Sequence, residues 1–159
     1  MKLVVVTVMA VFALAAFASA SAFAANPAWE VEEGGVAKLL AAGESREITA
    51  EANGNQELAA TGVTLVCSSV TLAAGATITG GEPGTDKETL VYGGCKVKEK
   101  ACEARTKGGA VAEQIQTSAL KSTLAFETKA AAEASKAPTV TLFEPSEGTT
   151  FVEVELKGT

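Results

Sequence analysis

Histidine is absent from this chain of 159 residues. That removes the commonest general base and metal ligand. Zinc held by four side chains would then need carboxylates beside the cysteines, and no cysteine pair has the C-x-x-C spacing of zinc or redox motifs. Cysteine is scarce too: Cys67, Cys95 and Cys102 are the only three, too few for a miniprotein defined by its disulfides. Aromatic residues make up 5% of the chain. Beyond residue 24 they are Trp29, Tyr92, Phe126, Phe143 and Phe151. So few are needed for a core, which leaves little for a row of exposed sugar-stacking platforms. Trp29, near the start of the processed chain, is the best-placed exception.

Catalytic signatures are missing as well. The chain has no G-x-S-x-G elbow and no S-x-x-K with supporting partners. Ser68-Ser69 has no neighbour able to activate a hydroxyl, so it reads as strand surface. Glutamates are plentiful, with Glu30, Glu32 and Glu33 close together and Glu51 and Glu57 flanking Asn53-Gly54. Paired acids in a cleft can cleave glycosidic bonds. However, acids that alternate with apolar residues, as Glu153 and Glu155 do, normally form the solvated face of a strand. "EANGNQE" (51–57) faintly resembles a calcium loop, but Gln56 and Gly62 stand where that loop needs glycine and an acid. A hairpin turning on Asn53-Gly54 is the better reading. No cofactor and no metal is expected.

What is present begins with an address. Lys2 supplies a positive start, Leu3 to Phe17 is apolar apart from Thr7, and small-residue cleavage signals follow at 18–20, 20–22 and 22–24. That order is a secretory signal peptide, expected as a helix over residues 1–24. Cleavage after Ala24 would leave 25–159, the size of a single domain, secreted and without a membrane span. Cleavage after Ala20 or Ala22 competes. The whole chain carries a formal charge of −6, and losing Lys2 makes it more negative still. A chain of that charge is repelled by nucleic acid and by anionic envelope polymers.

Patterning over 25–159 is that of an all-β protein. Val152 to Leu156 alternates apolar and charged residues, as do the segments around Leu120, Leu124 and Phe126 and around Val140 and Leu142. "GVTLVCSSVTL" (62–72), "ATITG" (76–80) and "ETLVYGGCKV" (88–97) are rich in residues that suit a pleated surface. Gly- and Pro-containing turns separate these runs. Many short strands at this spacing predict one antiparallel sandwich or barrel. Leu65, Leu90, Leu124, Val140, Val152 and Val154 are expected to point inward, because a period of two puts one face in the core. Val63, Leu65 and Cys67 differ in parity from Val70 and Leu72, which predicts a bulge near Ser68-Ser69. Residues 129–137, "KAAAEASKA", are alanine-rich and predict a short helix or an ordered loop before Pro138.

The order "WEVEEGG", "VTLVC", "ATITGG", "LVYGGC", "QIQTSALKSTL" and "FVEVELKG" resembles a group of uncharacterised exported β-rich proteins of actinobacteria. The resemblance covers most of the chain after the leader. It implies location and fold, and nothing catalytic. Members often carry a further cysteine near the C-terminus. This chain has Leu156 in that region, so a disulfide pattern shared with them does not carry over.

The most chemically suggestive stretch is "GGCKVKEKAC" (93–102). Export would place the cysteines where disulfides persist. The expected bridge is Cys95–Cys102, closing a short polar excursion, with Cys67 left as a free, buried thiol inside an apolar strand. Loop entropy does not choose: it gives ~2.5 kcal/mol for closing 95–102 and ~3.6 kcal/mol for closing 67–95. Cys67–Cys95 across adjacent strands is the main competitor, and pairing of Cys67 with a second chain is another. Lys96, Lys98, Lys100, Arg105 and Lys107 make the region locally positive. They could hold an anion or lower a thiol pKa, though a hairpin whose lysines guard a sheet edge is the plainer reading.

The functional expectation is a non-catalytic binding or structural module of the envelope or extracellular space, with a glycan or envelope component as partner. A carboxylate-dependent hydrolase and a redox protein using Cys67 are the rivals.

Overall fold

The computed structural model describes residues 26–60, 62–98, 100, 102–127 and 139–158, and the backbone of 4–9. In chain order the strands are β1 (Val4–Met9), β2 (Glu30–Glu33), β3 (Val36–Leu39), β4 (Ser45–Glu47) and β5 (Glu51–Ala60). There follow β6 (Val63–Leu72), β7 (Thr77–Thr79), β8 (Thr85–Glu88), β9 (Leu90–Gly93) and β10 (Lys96–Val97). The last are β11 (Cys102–Thr106), β12 (Ile115–Gln116), β13 (Leu120–Phe126), β14 (Thr139–Pro145) and β15 (Thr150–Gly158). No helix occurs among the described residues. The all-β expectation holds. The helix or loop expected over 129–137 lies outside the described residues.

These strands build three sheets, all of antiparallel ladders and none closed. Eight strands form the largest, in the order β1-β15-β11-β10-β6-β9-β12, with β5 on the other side of β6. Five form the second, ordered β14-β13-β8-β7-β4, and β2 and β3 make a two-stranded ribbon. Val4–Met9 of the expected helical leader is extended, running along β15 with Val6 opposite Val154. Its run of valines is β-branched, which favours strand over helix. The rest of the leader lies outside the described residues.

Strand β6 is the axis of the large sheet. Ser69 to Leu72 pair with β9, and Leu65 and Val66 continue in the same register onto β10. So β9 and β10 are one strand line, interrupted at Gly94-Cys95 opposite Ser68-Cys67. The inner face carries Leu65, Cys67, Tyr92, Cys95, Val97, Ala104, Ile115, Val152 and Val154, with Val70 and Leu90 packed against them. Val70 packs against the cluster of Leu65 and Cys67 despite its opposite parity, but β6 carries no extra residue at Ser68-Ser69, since its register on β9 and β10 runs without a shift. The extra residue lies on the neighbour: the β5–β6 register slips between Asn53 and Gln56. Gly54 takes φ 113° there. Asn53-Gly54 is therefore a bulge inside β5 and not the expected hairpin turn. The turn comes after Ala60, which faces Val63.

Five of the six residues expected inside are buried or packed on the core: Leu65, Leu124, Val152 and Val154 are buried, and Leu90 is half-buried against them. Val140 is not, at 37% exposed. Register explains it. Leu120, Ser122 and Leu124 are the buried residues of β13, and their partners on β14 are Pro145, Phe143 and Thr141. Val140 and Leu142 fall on the other parity and face outward. Alternation marks two faces of a strand, but only the neighbour decides which one is covered.

Candidate functional site

The cysteines pair differently from the sequence expectation. Cys67 is bonded to Cys95, and Cys102 is the free, half-buried thiol. The reason is register: continuing the β6–β10 ladder by one residue from Lys96 opposite Val66 sets Cys95 directly across from Cys67. The Cys95 amide donates to Glu113 O (2.8 Å) and its carbonyl accepts from Ala104 N (3.3 Å). Its backbone bonds thus point away from β6. In that arrangement cross-strand Cα atoms come closest, and here they are 4.0 Å apart. Cys102 lies on β11 opposite Gly158 of β15, on a different strand pair. Both bridged cysteines are 0% exposed.

The interruption at Gly94 makes room for this pair. Gly94 has φ 62°, and a Cβ there would collide with the Ser68 hydroxyl. The Ser68 hydroxyl donates to Gly93 O at 3.3 Å, as a strand-surface serine would.

The lysine-rich segment forms the hairpin β10–β11, but in the interior of the sheet, between β6 and β15. It guards no edge. Four of its five cations are also paired with acids. Lys96 pairs with Glu113 (3.3 Å), Lys98 with Glu57 (2.8 Å), Arg105 with Glu155 (3.2 Å) and Lys107 with Glu153 (3.2 Å). The Arg105 guanidinium, by hydrogen bonding, holds the Glu155 carboxyl below the usual carboxylate range. No uncompensated anion site remains along these four residues.

Beyond β11 the chain turns at Thr106–Gly109, closed by Gly109 N donating to Thr106 O (2.8 Å). It then runs to Glu113 and re-enters the sheet at β12. Glu113 has φ 54°, an unusual conformation for a residue with a side chain. Two bonds hold it there: its carbonyl accepts from the Cys95 amide, and its carboxylate meets Lys96. Thr106 N donates to Gln114 O (2.9 Å), and Gln116 N donates to Thr106 Oγ1 (2.7 Å). The loop so pinned encloses a groove of about 410 Å³, lined by Thr106, Ala110, Val111, Gln114, Gln116 and Thr117 among others. The hydroxyls of Thr106 and Thr117 are already used, the latter accepting from Leu90 N (3.0 Å). The side-chain amides of Gln114 and Gln116 are available, beside a Val111 that is 54% exposed. The lining is uncharged.

The acids singled out in the sequence do not converge. Glu30, Glu32 and Glu33 lie on the ribbon strand β2, where Glu33 meets Arg46 (3.0 Å) and Lys38 (3.9 Å). Glu51 and Glu57 are exposed on β5, at either side of the bulge. A different pair is buried: Asp86 and Glu88 on β8, facing Ser122 and Leu120 of β13. The Ser122 hydroxyl donates to Asp86 Oδ1. Burial, then the hydrogen bond and negative charge of Asp86, push the Glu88 carboxyl up to about 8. Sequence reading passed over this pair because β8 is inside out, with Thr85 and Lys87 exposed and the two acids inward. No group of three or more metal-ligating side chains occurs among the described residues.

Trp29 is half-buried, its indole edge packed against Gly84 and its N–H donating to Thr85 O (3.0 Å). Comparison with protein-family models, with curated proteins and with solved structures gave no match.

Proposed function

We propose that the chain is an exported, non-catalytic binding module of the envelope or extracellular space, and that the groove beside β11 and β12 takes a neutral, hydroxyl-rich ligand such as a glycan. One observation carries this reading: a concave, uncharged site offers two unpartnered amides and an apolar wall, on a loop pinned to the disulfide-bonded strand. Amides hydrogen-bond hydroxyls as both donor and acceptor, and a rigid scaffold carrying a shaped loop is where binding sites concentrate. The leader sequence supplies the export. We take the large sheet, seven-stranded once the leader with β1 is removed, and the five-stranded sheet as the two layers of a sandwich, since each has one buried face, around Cys67 and Val154 in one and around Leu120 and Leu124 in the other.

The rivals have less support. Glycosidic hydrolysis uses two carboxyls that flank the substrate in a cleft, whereas Asp86 and Glu88 lie side by side on one buried face of β8. A redox role for Cys67 needs a thiol that a partner can reach, and both bridged sulfurs lie in residues that are fully buried.

The test is retention of the purified chain on immobilised glycans and envelope fractions, beside a Gln114→Ala/Gln116→Ala double variant. Retention that the double variant loses, with its circular dichroism unchanged, is the expected result. No retention above an inert protein, or equal retention by the variant, overturns the assignment.

A further inference from the structure

Strand β15 is nine residues long, and its neighbours in the large sheet are β11 and the leader strand β1. Its register on β11 runs unbroken from Gly158 opposite Cys102 to Val154 opposite Thr106. One step further, Lys107 N donates to Glu153 O (2.9 Å). In an antiparallel ladder successive residues bond to opposite sides. Glu153 and Glu155 therefore bond through their backbones to β11, and the N–H and C=O of Val152, Val154 and Leu156 face β1. Removal of the leader leaves those groups open. Natural edges are guarded by proline, by bulges or by charges turned inward. Between Val152 and Leu156 this edge has none of these. Val152 and Val154 are its buried residues, and its acids Glu153 and Glu155 are tied to Lys107 and Arg105.

We propose that, once the leader is cleaved, this edge binds an extended, uncharged segment of a partner protein that carries β-branched apolar residues at alternate positions. Such a segment adds a strand antiparallel to β15 through main-chain hydrogen bonds. The leader shows what the edge accepts. Val4, Val6 and Val8 lie opposite Leu156, Val154 and Val152, while Val5 and Thr7 lie opposite Glu155 and Glu153. A second copy of the chain fits less well. Pairing β15 with itself about Val154 sets Glu153 against Glu155 of the other copy, and like charges directly opposite are destabilising. Cleavage frees the edge, so this site depends on the export reading and not on the groove.

Amide hydrogen exchange followed by NMR tests this on the processed chain, with a lysine-tagged peptide of residues 3–9 as the probe. Saturable binding should slow exchange at Val152, Val154 and Leu156 by at least about tenfold, with Glu153 and Glu155, already bonded to β11, unchanged. A probe with Val6→Pro lacks a ladder donor and should bind at least about tenfold more weakly. In the full chain β1 should protect the same three amides. Val6→Pro there should expose them, and the probe should restore protection, which tests the edge even if the processed chain is unstable. No saturable slowing, equal binding of the Val6→Pro probe, or slowing that extends to Glu153 and Glu155 overturns the proposal. So does a dimer of the processed chain that protects these amides without peptide, which would mark the edge as a contact between copies. Exported chain that keeps its leader overturns both this site and the processing that opens it.

Discussion

At the scale of single residues, the disulfide shows how position along a ladder outranks distance along the chain. Cys95 and Cys102 are near in sequence, yet Cys95 faces Cys67 because the β6–β10 register places it there. Non-reducing peptide mapping is expected to give a 67–95 linkage and one titratable thiol at Cys102. Replacing both bridged cysteines by serine should lower stability by about 2–4 kcal/mol in denaturant unfolding, as loss of a bridge closing a loop of this size does. Gly94 is the companion case. Its positive φ and the Ser68 hydroxyl both exclude a side chain. Gly94→Ala should therefore cost about 1–2 kcal/mol, and unfolding at wild-type denaturant concentration would contradict the account. The pair Cys67–Cys95 was visible in the sequence only as one of several options, because spacing gives loop entropy and not geometry.

At the scale of elements, β8 and β14 define the limits of pattern reading. Alternation locates β14, whereas β8 falls between the runs at 76–80 and 88–97 and is not read as a strand. On β14, pairing with β13 turns Phe143 inward and leaves Val140 and Leu142 outside. Val140→Thr is accordingly expected to change stability by less than about 0.5 kcal/mol, while Leu124→Ala, buried one strand away, should cost about 2–5 kcal/mol. Comparable losses for the two would mean that β14 is covered in solution. On β8 the pattern is inverted: two acids face inward and Lys87 faces out. Hydropathy alone reads that strand as reversed, and only its neighbours Ser122 and Leu120 show the true orientation.

At the scale of the whole molecule, the acid pair couples folding to pH. The Glu88 carboxyl stands at about 8 in the folded chain against an ordinary 4.5. Between those values the folded state holds a proton that the unfolded state has released. Stability is thus fully present below about 4.5 and falls as pH rises towards 8, by at most about 1.4 kcal/mol per pH unit, then levels off. Urea midpoints measured from pH 5 to 9 should show that decline, and Glu88→Gln should flatten it while keeping an N–H to offer Asp86. A midpoint independent of pH across that range in the wild-type chain would refute the buried pair.

The amino-acid sequence by itself determined the strand-forming character of the chain, the positions of β6, β7, β9, β10, β13, β14 and β15, and the poverty of catalytic groups. These follow from local alternation, β-branched composition and the absence of histidine, which need no knowledge of neighbours. The tertiary structure alone decided the disulfide partner, the outward face of β14, the bulge at Gly54, the groove at Gln114 and Gln116, and the buried acids Asp86 and Glu88. Each of these depends on register between strands distant in the chain. A shift of one residue there turns every side chain of a strand to its other face, and no local pattern records which register the packing selects.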